Sequence, residues 1–264
     1  MNNTLEIIIP AYNCSKTLGR TFDSLVLQTN KNFSVLIIDD CSTEDIKSII
    51  NTYKNKLSIA YIRNNINLGC GMSRQVGIDN TKADYISFLD SDDMLLPNAI
   101  NNWLTAIDGN KHDAIVSPFC SLRPQRDHIS IKHSGFFMTH GKVYSTAFLR
   151  KYDIRESEQV KCNDDVYLNW QVFDLTDNIC FLDSISHVYT ERPDSISKSK
   201  LFIFRATMEI KQAENLAKQQ ILRFKDNPLE QYNRIQKQFE QMLFEEREYF
   251  TQQIEEIKHK VDLK

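Results

Sequence analysis

Glycine is scarce in this chain, 7 among 264 residues, and no phosphate-cradling loop or dinucleotide fingerprint can be assembled from them. The densest stretch, Asn67-Leu68-Gly69-Cys70-Gly71, is too loose for either. The six cysteines stand at 14, 41, 70, 120, 162 and 180. None has the C-x-x-C spacing of a zinc or redox site, so they read as free thiols in a reducing compartment. The H-E-x-x-H and G-x-S-x-G patterns are absent too. No apolar run approaches the roughly 18–20 residues that span a bilayer. Met1–Thr4 lead straight into a strand with no basic-then-apolar leader. The expectation is a cytoplasmic protein without a transmembrane segment, in which glycosylation-type triplets such as Asn13-Cys14-Ser15 mean nothing. A strong charge excess is missing as well. Against 32 Lys and Arg stand 35 Asp and Glu, a net charge of −3, which argues against a dedicated nucleic-acid binder.

What is present is an ordinary globular composition, hydrophobic 41% and charged 25%, sufficient for a sizeable core. The first half alternates apolar strands with amphipathic helices. Strands are expected at 5–10, 33–38, 57–62, 85–89 and 114–117. Helices are expected from Ser15, from a Ser42 or Thr43 cap, over 72–80, and from Pro97 to Ile107. Such alternation means a mostly parallel sheet covered on both faces. Ligands bind such sheets outside the carboxyl ends of the strands. The polar residues at those ends are Tyr12 and Asn13, then Asp39 and Asp40, then Asp90, Asp92 and Asp93. Further on, helices are expected over 145–151 and 165–173 and a strand over 179–182.

Phe88-Leu89-Asp90-Ser91-Asp92-Asp93 is the sharpest feature. Three carboxylates within four residues repel one another unless something positive lies between them. Mg²⁺ or Mn²⁺ would serve, leaving coordination positions for a diphosphate. The competing reading is a solvated turn whose aspartates cap the helix near Pro97. Asp39-Asp40, delivered by a second strand to the same sheet edge, favours a site.

Six segments in order resemble the family-2 glycosyltransferases, which have the GT-A fold, over about residues 5–197. They are Ile7–Asn13, Ile37–Ser42, Asn67-Leu68-Gly69 with Arg74 and Gly77, Asp90–Asp93, Gly141–Tyr144 and Asn163-Asp164-Asp165. The resemblance implies an inverting transfer from a nucleoside-diphosphate sugar, with UDP the expected nucleotide, to an acceptor hydroxyl. It places Pro10, Ala11 and Tyr12 around the base, Asp39 on a nucleobase hydrogen, Asp90 on the ribose and Asp92 on the metal. Arg74 would reach the base or the diphosphate. Asp40 would be a second ribose or base contact, or a cap for the next helix. Asp93 would support the metal site or cap a helix. Asp165 would be the general base, which an acceptor hydroxyl of high pKa requires. His187 stands where some relatives carry a further metal ligand. Thr190 occupies a position where the family often has arginine, and Arg192 follows two residues later. The acceptor is not specified: a glycan, a lipid-linked sugar, a protein or a modified nucleic-acid base would all fit. The basic stretch 118–145 would suit an anionic one. The alternatives are a sugar nucleotidyltransferase, which lacks its basic glycine-rich triphosphate loop here, and a catalytically dead scaffold.

Beyond about residue 200 glutamine, glutamate and lysine dominate and glycine vanishes. The expectation is a GT-A domain over 1–200 and a helical extension over 201–264, two helices broken at Asp226-Asn227-Pro228. The stripes from Leu229 to Val261 have the three- and four-residue steps of helix pairing and point to self-association.

Overall fold

The computed structural model describes residues 4–109, 111–123, 128–132, 138–161 and 163–191, and beyond them only Leu216 and Gln219. The expected tail helices, their self-association and Arg192 lie outside the described residues.

The strands are β1 (Leu5–Ala11), β2 (Ser34–Asp39), β3 (Ile59–Arg63), β4 (Tyr85–Phe88), β5 (Met94–Leu95), β6 (Ala114–Val116), β7 (Phe119–Arg123), β8 (His128–Lys132), β9 (Lys142–Ser145), β10 (Ile179–Phe181) and β11 (His187–Thr190). The helices are α1 (Leu18–Val26), α2 (Ile46–Tyr53), α3 (Cys70–Asn80), α4 (Ala99–Gly109), α5 (Thr146–Lys151) and α6 (Asp164–Leu175). Seven strands form one sheet in the order β10-β6-β9-β4-β1-β2-β3. All its pairings are parallel except those of β9, which runs antiparallel between β4 and β6. A second sheet, β5-β11-β7-β8, was not visible in the sequence. Its strands are short and carry no clear alternation.

Period-two geometry divides the core. Leu5, Ile7 and Ile9 of β1 join Leu18, Phe22, Ile46, Ile100 and Trp103 on one face of the sheet. Ile8, between them in sequence, joins Leu36, Ile38, Ile78, Leu168 and Val172 on the other. Strands buried on both faces read as near-continuous apolar runs, and β1 does except at Glu6, whose carboxylate accepts from Ser34 Oγ at 2.9 Å. Among the described residues no helix is long and apolar enough to cross a membrane.

Two helix starts differ from expectation. Asp45 caps α2, accepting from Ser48 N at 3.1 Å, because Ser42 and Thr43 are tied to Asn13. α1 begins at Leu18 after Thr17, which makes no side-chain cap. Ser15 is spent in the preceding loop, where its N–H donates to Glu44 at 3.0 Å.

Helix α3 lies close on the sheet through Gly77. A Cβ there would stand 2.5 Å from Ile8 Cγ2, a core atom on a central strand. Gly77→Ala is therefore expected to destabilise the fold by about 1–3 kcal/mol through overpacking. The loss should persist despite a helix-propensity gain of about 1 kcal/mol. Urea denaturation measures it, and an unchanged or raised midpoint would contradict the close packing.

Candidate active site

The parallel register aligns Ala11 with Asp39 and Asp39 with Arg63, so three neighbouring strands end at one edge. Pro10 and Ala11 are buried there, while Tyr12 stands 50% exposed. Asn13, in the left-handed region at φ 47°, turns the chain away. Its Oδ1 accepts from Thr43 N at 2.8 Å and Glu44 N at 3.3 Å.

Asp39 is fully buried. Its carboxylate accepts from Tyr61 Oη at 2.6 Å, from Ser42 N at 2.8 Å and from the Arg63 guanidinium. Burial alone would raise its pKa, but the donors Tyr61, Ser42 and Arg63 together hold it below the usual carboxylate range. Arg63 also donates to Ser42 O at 2.8 Å, and its side chain is 44% exposed. Tyr61 and Arg63 escaped the sequence reading. The signal available was their place on the strand beside β2, in register with Ile37 and Asp39.

Asp40 does not take the capping role, one of the two expected of it. Its two oxygens accept from Asn64 Nδ2, Leu68 N and Gly69 N, each at 2.8 Å. It braces the loop that enters α3 and does not cap α2. Gly69, at φ +89°, makes the turn into that helix, a conformation glycine adopts without strain.

Arg74 on α3, expected to reach the base or the diphosphate, lies among acids of the candidate site. It is 2% exposed and bonds three carboxylates: Asp164 at 2.5 Å, Asp165 at 2.7 Å and Asp90 at 3.0 Å. Asp164 and Asp165 occupy the first turn of α6, where the helix dipole favours negative charge. The approach of α3 to α6 needs Gly71, since a Cβ there would lie 2.7 Å from Asp164 Cβ. Burial, foremost, raises the Asp164 pKa, against the pull of Arg74. For Asp165 burial is outweighed by Arg74 and His140, and its pKa is lowered. Asp165 is thus ionised at neutral pH and can accept a proton, though pairing with Arg74 tempers its basicity. Its other oxygen lies 3.3 Å from Thr139 Oγ1.

The three acids after β4 separate in space. Asp90 reaches Arg74 and keeps 31% of its side chain exposed. Asp92 is partly exposed, and its carbonyl accepts from Arg20 Nη2 at 2.7 Å. Asp93 is buried and caps no helix. Its Oδ2 accepts from His140 Nε2 at 3.2 Å and His187 Nε2 at 3.1 Å, and its Oδ1 from Thr190 N at 2.8 Å. Burial works against the charge on Asp93, but the bonds from His140 and His187 hold its pKa far below the usual range. His187 is shifted down by burial and remains a neutral imidazole at neutral pH. Its Nδ1 is buried without a hydrogen-bond partner. His140, stacked on Phe119 at 5.2 Å, was not singled out from the sequence. The candidate ligand atoms of Asp93, His140 and His187 lie within 4.8 Å of one another. Lys142 is buried too, its pKa pushed down to about 7 by desolvation, and it donates to Met138 O.

One guanidinium thus pairs with three carboxylates. Removing a partner from a buried ion cluster costs about 3–5 kcal/mol, and Arg74→Gln is expected to lose that much at pH 8. Without the arginine, burial is left to hold the folded-state pKa values of Asp164 and Asp165 above their unfolded values. The folded variant then binds more protons than the unfolded chain, and its stability falls as pH rises through the raised values. The deficit relative to the parent should therefore be smaller at pH 5 than at pH 8 in urea titrations. An equal deficit at both would refute the charge account.

Comparison with known proteins now adds to this geometry. Residues 6–156 match the profile of Glycosyl transferase family 2. The poly(ribitol-phosphate) beta-N-acetylglucosaminyltransferase TarS of Staphylococcus aureus is 24% identical over 213 residues, 75% of this chain and 37% of TarS. The UDP-Glc:alpha-D-GlcNAc-diphosphoundecaprenol beta-1,3-glucosyltransferase WfaP of Escherichia coli is 39% identical over 107 residues, 40% of this chain and 42% of WfaP. This chain thus spans less than half the length of these curated relatives. The crystal structure of S. aureus TarS 1–349 with UDP-GlcNAc superposes with a TM-score of 0.74 at 22% identity, covering 86% of this chain and 69% of that one. The mixed seven-stranded sheet, the helices on both its faces and the acids at its strand ends are those of the GT-A fold, and the chain belongs to glycosyl transferase family 2.

Proposed function

We propose that this chain transfers a sugar from a UDP-sugar to an acceptor hydroxyl in a single, inverting displacement. The observation that carries this reading is the convergence of Asp90, Asp164 and Asp165 on Arg74, with Asp92 two positions beyond Asp90 in the chain. The nucleotide is supported by the UDP and UDP-GlcNAc complexes of the TarS fold neighbour and by the UDP-glucose donor in the name of WfaP.

Pro10, Ala11 and Tyr12 with Asp39 take the nucleobase end of the donor, where the exposed ring of Tyr12 offers a stacking face. Asp90 takes the ribose. Arg74 acts from beneath, fixing Asp90 and Asp165 in one constellation. Asp92 and His187 hold a divalent cation, Mn²⁺ or Mg²⁺. The fit rests on the chemistry of the pair, a hard carboxylate and a neutral imidazole whose buried Nδ1 lacks a hydrogen-bond partner. When bound, such an ion meets the charge that grows on a departing diphosphate. Asp165 accepts the proton of the attacking hydroxyl. One base on one face of the sugar implies inversion at the anomeric carbon.

The acceptor is proposed to carry phosphate. Arg123, Arg126, His128, Lys132 and His133 make the stretch around β7 and β8 basic in sequence. Both relatives above are named for phosphate-bearing acceptors, poly(ribitol-phosphate) and a diphosphoundecaprenol-linked sugar.

Thermal-shift screening of nucleoside-diphosphate sugars with Mn²⁺ should single out UDP-linked donors. Turnover of the selected donor then tests the residues. Asp92→Ala should abolish it with the fold intact. Near-parental activity of that variant in chelator would refute the cation site. Asp165→Asn should lower kcat by about 10²–10⁴-fold with UDP affinity unchanged. A collapse of donor affinity instead would make Asp165 a binding residue.

A further inference from the structure

The cluster of Asp93, His140 and His187 is not used by the reading above beyond His187 itself. All three are buried, and they come from three separate places in the chain. Two arrangements of a cation are compatible with them. In the first, Asp93 Oδ2 and both Nε2 atoms surround an ion directly. That would spend His187 Nε2 on the metal and leave its Nδ1–H as a buried donor with no acceptor. A metal-bound histidine almost always donates its other ring N–H to a carboxylate, a carbonyl or water. In the second arrangement that acceptor is already present: His187 Nε2–H donates to Asp93 Oδ2 at 3.1 Å. The open nitrogen is then Nδ1, the atom that lacks a partner.

We propose that His187 meets the cation through Nδ1, and that Asp93 and His140 are positioning residues that fix its ring in that orientation. The inference rests on the metal reading at Asp92 and goes beyond it. Asp93 is well anchored for the task. Thr190 N holds its Oδ1 at 2.8 Å, and Thr21 Oγ1 donates to its carbonyl at 2.8 Å. His140 shares Oδ2 from the other side at 3.2 Å. It is itself held by the stacked Phe119 ring and the edge of Tyr189 at 5.1 Å. A flip of the His187 ring would leave Asp93 short of one buried donor, so the network selects a single orientation. The third acid of the run after β4 thus serves the metal without touching it. An imidazole in the ligand set also tilts preference from Mg²⁺ toward Mn²⁺.

Mn²⁺ binding to the full chain with UDP, followed by electron paramagnetic resonance, tests this without any turnover. The parent should show imidazole nitrogen coupling to bound Mn²⁺, lost in His187→Ala. Asp93→Asn should weaken Mn²⁺ binding by about 10–100-fold. In a His187→Ala background the same change should add less than about threefold, because a residue acting through another has no separate effect. Equal effects of Asp93→Asn in both backgrounds would overturn the proposal, as would Mn²⁺ bound to the parent without nitrogen coupling. If Asp93→Asn does not fold, His140→Gln replaces it. It should weaken Mn²⁺ only while His187 is present, and an equal or absent effect overturns the proposal. Asp92→Asn separates the two readings. Unaltered Mn²⁺ affinity in Asp92→Asn refutes the metal site itself. Loss there, with parental affinity in His187→Ala, refutes this inference alone.

Discussion

The candidate site depends on the buried guanidinium of Arg74. It reaches carboxylates from the loop after β4 and from the first turn of α6, and Gly71 lets α3 stand close to that turn. Three desolvated carboxylates would repel one another and take up protons. A planar guanidinium with several fixed donors can serve them together where a lysine, a compact point charge, could not. Even so the pocket is left with more negative than positive charge. Its partition of pKa values, up for Asp164 and down for Asp165, keeps one carboxylate in the form that a proton acceptor requires.

Much of this was legible in the sequence because it is local. Largely apolar strands followed by acids identify a parallel sheet and the edge where ligands bind. β1, β2 and β4 with Tyr12, Asp39 and Asp90 stand where that pattern puts them. The order of six short motifs added the family. What was missed, His140 and the meeting of Asp93 with both histidines, depends on contacts between residues distant in the chain. His140 and His187 lie 47 and 94 residues from Asp93, and no spacing encodes such a meeting. The second sheet was equally hidden, since β5 has two residues and β11 four. Helix caps failed for another reason. Ser42 and Thr43 are good capping residues, but Asn13 captured them first, and a tertiary partner outweighs a local preference.

Two adjacent acids take different partners. Asp39 and Asp40 are neighbours in sequence and both buried. Asp39 fixes the partly exposed guanidinium of Arg63 beside the ends of β2 and β3. Asp40 ties down the loop that launches the helix bearing Arg74. Neighbouring residues on a strand end can differ this way because their side chains leave on opposite faces.

The bonds around Asp93 have a consequence for how the two sheets communicate. The acidic loop belongs to the large sheet, while Thr190 and His187 belong to β11 of the small one, whose β5 partner directly continues the acidic loop. Asp93 is therefore one of the places where the two sheets are bonded to each other. A displacement of β11 would reach the acidic loop through this carboxylate. If binding at one sheet alters affinity at the other by this route, linkage makes the effect reciprocal and equal in both directions.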